Sequence, residues 1–379
     1  MRTQASRCAD SASVAGRGPG QAVLEPLERR RLLAAAYHLT FDDEFNSLEL
    51  PTYITSGPDA GQLASSPSPN SGWLTRDAYD NTGYYASNGE QEYYANPAIN
   101  SYNPFSINNG VLTIAAEPTP VSMQGTGTNQ TTEPYVSGML TTAQGYSWEP
   151  YNTSSGFSQE YGYFEIRCEV PSGPGLWPAF WMIPEPKLNS GDVSSEYDIF
   201  EIPTSSNSAD NENTKTIYQT EHLSGTSSQN IYSLPTGSDA STAFHTYGFE
   251  WDSTSVRWYV DGQLTATMDN ISNTPMYLLI NLAVGGTWPG SPDGATSFPA
   301  DFKIDYVRGY SDDPDVSAVT PQPGYSVDAD TLDAISVAPE PALGGVVLVG
   351  MAGLLLRRRV DRRQQRRTSV TQSISIAGY

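Results

Sequence analysis

The chain has 379 residues, of which only 16% are charged while 11% are aromatic, with 23 Tyr and 7 Trp. Its formal net charge is −22, and the middle is more acidic still: residues 37–356 hold 7 basic against 38 acidic side chains, a net of −31. A field of that sign repels phosphate backbones and anionic lipid, which argues against nucleic acid as a partner and leaves a neutral polymer open, although acidity also serves solubility alone.

Residues 1–36 read as a leader for export. They lack the apolar core of an ordinary signal peptide but carry Leu24-Glu25-Pro26-Leu27-Glu28-Arg29-Arg30-Arg31-Leu32-Leu33-Ala34-Ala35, which resembles a leader motif preceding the mature domains of some bacterial exported proteins. A plain disordered tail is the alternative. Two cysteines, Cys8 and Cys168, cannot build a disulfide framework. Cys168 shares an apolar strand face with Phe164, Ile166 and Val170, which predicts a buried, inert thiol.

Residues 37–310 are read as one folded domain. Short alternating or β-rich runs bounded by Gly, Pro, Ser, Thr and Asn recur without the 3.6-residue period of an amphipathic helix, so the class is all-β. The clearest strands are predicted at 110–116, 161–170, 244–251, 256–260, 276–284 and 302–310. Asp261-Gly262 signals a hairpin turn, because both positions must tolerate positive φ. So many strands argue for a two-sheet antiparallel sandwich of jelly-roll type.

The chemistry concentrates in Ser195-Glu196-Tyr197-Asp198-Ile199-Phe200-Glu201-Ile202. On a regular strand Glu196 and Asp198 share a face and Glu201 points to the other. A one-residue bulge near Ile199 or Phe200 brings all three acids onto one side, with Tyr197 and the apolar residues in the core. Three neighbouring acids split their pKa values, which supplies one ionised and one protonated group near neutral pH. From this segment alone a polar edge-strand face or a calcium site competes with catalysis.

Glu196-x-Asp198-x-x-Glu201 resembles the bulged Glu-x-Asp-x-x-Glu signature of glycoside hydrolase family 16, in its laminarinase-like branch. The similarity extends along residues 37–310. It includes Leu39-Thr40-Phe41-Asp42-Asp43-Glu44-Phe45-Asn46, Asn88-Gly89-Glu90-Gln91-Glu92-Tyr93-Tyr94 and Tyr161-Gly162-Tyr163-Phe164-Glu165-Ile166-Arg167. It continues through Gly175-Leu176-Trp177-Pro178-Ala179-Phe180-Trp181-Met182 and Asn281-Leu282-Ala283-Val284-Gly285-Gly286-Thr287-Trp288-Pro289-Gly290.

The resemblance implies a curved jelly roll with an open groove, and an endo-acting hydrolase of β-1,3-glucan or mixed β-1,3/1,4-glucan that retains anomeric configuration. Glu196 is then the nucleophile, Glu201 the general acid and base, and Asp198 the partner that tunes the nucleophile. Trp177, Trp181 and Trp288 are expected to bind sugar, since indole rings offer flat apolar platforms with an N–H for a hydroxyl. Asn88, Glu90 and His222 are further expected cleft residues, whereas His245 looks structural. No cofactor is required for the chemistry; the resemblance implies a structural calcium through Glu44, Gly110 and Asp305. Departures from the family pattern are Asn88-Gly89 in place of an asparagine pair, Glu92 in place of a common glutamine, and Met139 where a basic residue is frequent. A glycan-binding module without catalysis, or a family hydrolase or transglycosylase acting on agar or carrageenan, are the competing readings.

Residues 311–338, rich in Asp, Ser, Pro and Thr, read as a linker. Pro339-Glu340-Pro341, the apolar run 342–356 and seven arginines from Arg357 to Arg367 follow, within a segment taken as 339–367 before a tail at 368–379. The apolar run extends about 22 Å as a helix, short of a bilayer core of about 30 Å. This order resembles a bacterial Pro-Glu-Pro sorting signal, with export machinery as its partner. An extracellular or cell-surface monomer, transiently anchored, is expected.

Overall fold

A computed structural model describes residues 37–331 apart from 51, 54–62, 66–71, 76–82, 84, 101, 127–129, 144–155, 186–193, 207–212 and 328–330. The leader at 1–36, the linker from 332, the sorting segment at 339–367 and the tail at 368–379 lie outside the described residues, as does Cys8.

The strands in chain order are β1 (His38–Asp43), β2 (Thr52–Tyr53), β3 (Leu63–Ser65), β4 (Leu74–Thr75), β5 (Glu92–Tyr94), β6 (Phe105–Asn108), β7 (Val111–Pro118), β8 (Tyr135–Ser137) and β9 (Met139–Thr141). There follow β10 (Gly162–Glu169), β11 (Leu176–Pro184), β12 (Ser195–Glu201), β13 (Thr216–Leu223) and β14 (Thr226–Ser233). The last are β15 (His245–Trp251), β16 (Ser255–Val260), β17 (Gln263–Asp269), β18 (Met276–Val284) and β19 (Ala300–Ser311). Among the described residues the only α-helix is one turn, Pro97–Asn100.

Two sheets form the sandwich. The larger runs β17-β16-β15-β10-β19-β7-β8-β5, with β1 added on β19 and β6 on β7. The smaller runs β14-β13-β12-β11-β18-β9-β4. Pairing is antiparallel throughout both sheets except for β5 with β8, which is parallel. The jelly-roll expectation therefore holds with that one exception. Asp261 and Gly262 take φ of 48° and 70°, the left-handed pair that a tight turn between β16 and β17 demands.

Alternation explains the core. Phe164, Ile166 and Cys168 of β10 and Tyr247, Phe249 and Trp251 of β15 meet Leu176, Phe180 and Met182 of β11 and Leu278, Ile280 and Leu282 of β18 in one buried cluster. Each fully buried side chain of this kind contributes about 1.5–3 kcal/mol. Burial also pushes the Cys168 thiol well above its usual range, so it is the inert core residue expected. The intervening residues of β11 point outward, and that outer face of the smaller sheet carries the site.

The stretch read as a linker departs from that reading at its start. Val319 N–H donates to Leu39 O at 2.9 Å, Gln322 N–H to Asp42 Oδ2 at 2.6 Å, and Arg308 Nη1 to Ser326 O at 2.9 Å. Thr331 Oγ1 donates to Glu165 Oε1 at 2.5 Å. The larger sheet has buried polar groups on its outer side, namely Asp42, Glu165 and Arg308, and such groups demand partners. Main-chain groups answer Asp42 and Arg308 and the Thr331 hydroxyl answers Glu165, none of which leaves a hydrophobic period to read.

Candidate active site

The bulge is present, and Ile199 is the extra residue. Toward β11, Phe200 pairs with Phe180 and Asp198 with Trp181, with a register shift between them. Toward β13, Glu196 faces His222, Asp198 faces Thr220 and Glu201 faces Tyr218, again with a shift. Tyr197, Ile199 and Phe200 all enter the core, so two successive side chains point inward and Glu201 is turned out beside Glu196 and Asp198. A bulge frees a main-chain carbonyl from the ladder. The indole N–H of Trp258, reaching across the core from β16, donates to Asp198 O at 2.8 Å.

The three acids line one cavity of about 280 Å³ together with Tyr85, Ser87, Asn88, Glu90, Trp177, Ala179, Trp181, Asn281 and Ala283. Solvent reaches it, since the Glu196 side chain is 36% exposed while that of Asp198 is 4% exposed. Burial pushes the Asp198 carboxyl well above the usual carboxylate range, and Glu196 beside it adds to the effect. Burial, then the charges of Asp198 and Glu196, push Glu201 up in the same way, against the opposing influence of His222 and Trp177. Both Asp198 and Glu201 are thus pushed toward the protonated form, and Asp198 lies within hydrogen-bond reach of Glu196 on one side and Glu201 on the other.

His222, opposite Glu196 on β13, places Nε2 3.0 Å from Asp198 Oδ2 and 4.0 Å from Glu196 Oε1. Glu196, Asp198 and His222 each bring one ligand-type atom within 4.8 Å of the others, the one such group among the described residues. Within the trio, His222 Nε2 and Asp198 Oδ2 make a hydrogen bond.

The walls follow from β11, where Trp177, Ala179 and Trp181 alternate onto the cavity side. Trp177 Nε1 donates to Glu201 Oε1 at 3.1 Å. Trp181 Nε1 donates to Asn281 Oδ1 at 2.8 Å, Asn281 Nδ2 to Tyr94 Oη at 2.9 Å, and Tyr94 Oη to Glu90 Oε2 at 3.2 Å. Asn88 Nδ2 donates to Glu90 Oε1 at 2.9 Å. Gly286, at φ 121°, carries the following loop so close that a Cβ there would stand 3.5 Å from the Trp177 ring.

Trp288 stands beside Trp177. It does not line the cavity but packs edge-on against Trp177, with ring centroids 5.3 Å apart, and against Tyr218 at 4.7 Å. It therefore braces Trp177. Sequence reasoning missed Tyr85, Ser87 and Asn281. Asn281 left a signal: it is the single polar residue in the strand Met276–Val284, and a buried amide there requires partners. His245 is structural, with Nδ1 2.7 Å from Asp261 Oδ2.

The calcium expectation rests on main-chain oxygens of Glu44 and Gly110 with the Asp305 carboxylate. Glu44 O lies beside Gly110, 3.6 Å from where a Cβ would stand. The Asp305 carboxylate, which would complete the set, makes an ion pair with Arg167 Nη1.

Fold and site together define a β-jelly roll whose outer sheet face carries three acids between two indole walls. The chain belongs to glycosyl hydrolases family 16, whose family model matches residues 121–308. It is 37% identical over 282 residues to an endo-1,3-1,4-beta-glycanase of Rhizobium meliloti, covering 73% of this chain and 52% of that protein. Against a beta-glucanase of Rhodothermus marinus it is 32% identical over 249 residues, covering 61% of this chain and 78% of the relative. The catalytic domain of an endo-1,3-beta-glucanase (laminarinase) from Thermotoga petrophila superimposes with a TM-score of 0.53 at 30% identity, covering 73% of this chain and 98% of that structure. The chain thus spans about half the length of the Rhizobium relative.

Proposed function

We propose that the protein is an endo-acting hydrolase of β-1,3-glucan or mixed β-1,3/1,4-glucan that works by double displacement. The observation that carries this is the Ile199 bulge, which sets Glu196, Asp198 and Glu201 side by side in the cavity between Trp177 and Trp181. Among the relatives, the beta-glucanase of Rhodothermus marinus and the laminarinase of Thermotoga petrophila are named for β-glucan, and the Rhizobium protein for β-1,3-1,4-glycan.

In the first step a lone pair of the Glu196 carboxylate forms a bond to the anomeric carbon while the bond from that carbon to the glycosidic oxygen breaks. Glu201 gives its proton to the leaving oxygen, which departs as a sugar hydroxyl. In the second step Glu201, now ionised, takes a proton from water, whose oxygen displaces Glu196 and frees the carboxylate. Asp198 donates a hydrogen bond to Glu196 and so steadies its charge. His222 and the Trp177 indole hold Asp198 and Glu201 in place.

The reading is tested by reducing-sugar release from laminarin, mixed-linkage glucan, agarose and carrageenan. The purified protein is compared with Glu196→Ala and Glu201→Ala, each expected to lose about two or more orders of magnitude in turnover. Release from laminarin that disappears in both variants bears the reading out; retention of turnover in both removes the assignment.

We further infer that the protein acts outside the cell. Support comes from the Pro339-Glu340-Pro341, apolar and arginine order at 339–367. Among the described residues no helix is long and apolar enough to cross a membrane, and the run at 342–356 lies outside them. Fractionation of cells expressing the chain with and without residues 339–379 checks this, and equal cytoplasmic retention of both would overturn it.

A further inference from the structure

Glu92 plays no part in the double displacement, yet its carboxyl is fully buried directly behind the cavity wall. Its Oε2 accepts from the Val284 N–H at 2.6 Å. Its Oε1 is enclosed and no donor reaches it, a situation that a neutral carboxyl tolerates far better than a carboxylate. Beside it stands Glu90, close enough for the two carboxyl groups to hydrogen-bond.

The direction of the neighbouring hydrogen bonds decides which acid holds the proton. Trp181 donates to Asn281, Asn281 to Tyr94 and Tyr94 to Glu90 Oε2, while Asn88 donates to Glu90 Oε1. Both Glu90 oxygens therefore accept, while the Tyr94 hydroxyl also lies within hydrogen-bond reach of Glu92. We propose that Glu92 is a positioning residue, a buried acid whose proton is directed at Glu90, locking that carboxylate and, through Tyr94 and Asn281, the Trp181 wall in the orientation that receives the glycan. This deepens the proposed function and rests on it.

Burial pushes Glu92 well above the usual carboxylate range and the charge of Glu90 adds to that, as for any carboxylic acid kept neutral in order to donate. Other groups face the pair. β18 presents the Asn281 amide and the Val284 N–H, β8 sets Tyr135 opposite Glu92 in register, and the Tyr94 and Tyr85 hydroxyls complete the titratable neighbours.

The test compares full-length wild type with Glu92→Gln and Glu92→Leu on laminarin from neutral to alkaline pH. Wild-type KM should climb as the pair loses its proton. Glu92→Gln, which keeps a donor that cannot ionise, should hold KM within about twofold of the neutral wild-type value and flat with pH. Glu92→Leu, which fills the space without donating, should raise KM about tenfold with kcat little changed. A KM for Glu92→Gln that climbs in step with wild type overturns the proposal even if Glu92→Leu does not fold. A second readout does not depend on glucan cleavage. In protein isotope-labelled at the glutamate carboxyls, one protonated-carboxyl resonance at neutral pH should vanish in Glu92→Gln, and its persistence overturns the proposal. Absence of wild-type turnover with that resonance correctly lost would instead fault the proposed substrate.

Discussion

In the proposed double displacement Glu201 must hold a proton, give it up and take it back, so its ionisation is the property on which that reading turns. In an unfolded chain a glutamate ionises near about pH 4.3, whereas burial keeps Glu201 protonated to higher pH in the fold. Between those two points the folded state binds more protons than the unfolded one, so stability falls as pH rises through that window, and the loss is complete above the folded pKa. Glu201→Gln removes this penalty. Its melting temperature should match wild type near about pH 4 and exceed it increasingly toward about pH 8, as scanning calorimetry across that range will read. A difference that shrinks as pH rises would mean that Glu201 ionises freely in the fold. Turnover of the same variant should fall at every pH, because an amide has no proton to give.

At the scale of the element, catalysis depends on one irregularity in β12. Deleting Ile199 returns the strand to strict alternation with Glu196, Asp198 and Glu201 still on one face, but it removes a buried core side chain and the local bend that aims the acids at one another. Loss of turnover together with a lower melting temperature is expected, and retained turnover would show that the bulge is dispensable. Trp258 belongs to the opposite sheet and never reaches the cavity, but it satisfies the carbonyl that the bulge exposes. Trp258→Phe keeps the ring and strands that carbonyl, an effect of about 1–3 kcal/mol on unfolding in denaturant. Turnover should fall with KM little changed, since the displaced groups are the acids. Unchanged stability would mean that Asp198 O finds another partner.

For the whole molecule, the boundary of the folded unit lies beyond the last strand. Arg308 is 2% exposed, donates to Glu44 at 2.7 Å and 2.6 Å, and has Tyr306 and Tyr325 over its two sides at 3.6 Å and 4.8 Å. Tyr325, Ser326 and Thr331 come from the segment after β19. Removing that segment leaves the Arg308 guanidinium and the Glu165 carboxyl short of partners while the active site is untouched. A chain ending at residue 311 should melt about 5 °C or more below one ending at residue 338, with similar turnover where both are folded. Equal melting points would return 312–331 to the status of a free linker.

Period-two alternation and turn chemistry made the strands legible from residues alone; β18 occupies the very span 276–284 that its apolar run predicts. The acid spacing was legible too, because the five-position step from Glu196 to Glu201 breaks a period of two and only a bulge restores one face. What alternation cannot express is which distant group answers a buried polar atom. The Trp258 indole on Asp198 O, the chain from Trp181 to Glu90, the retreat of Trp288 behind Trp177 and the pairing of Asp305 with Arg167 join residues far apart in sequence. Sequence by itself determined the strands, the bulge and the three acids, since each follows from local period and side-chain chemistry. Tertiary structure alone decided which acids are pushed toward the protonated form and which aromatic rings line the cavity, because burial and partnership arise only when strands from both sheets meet.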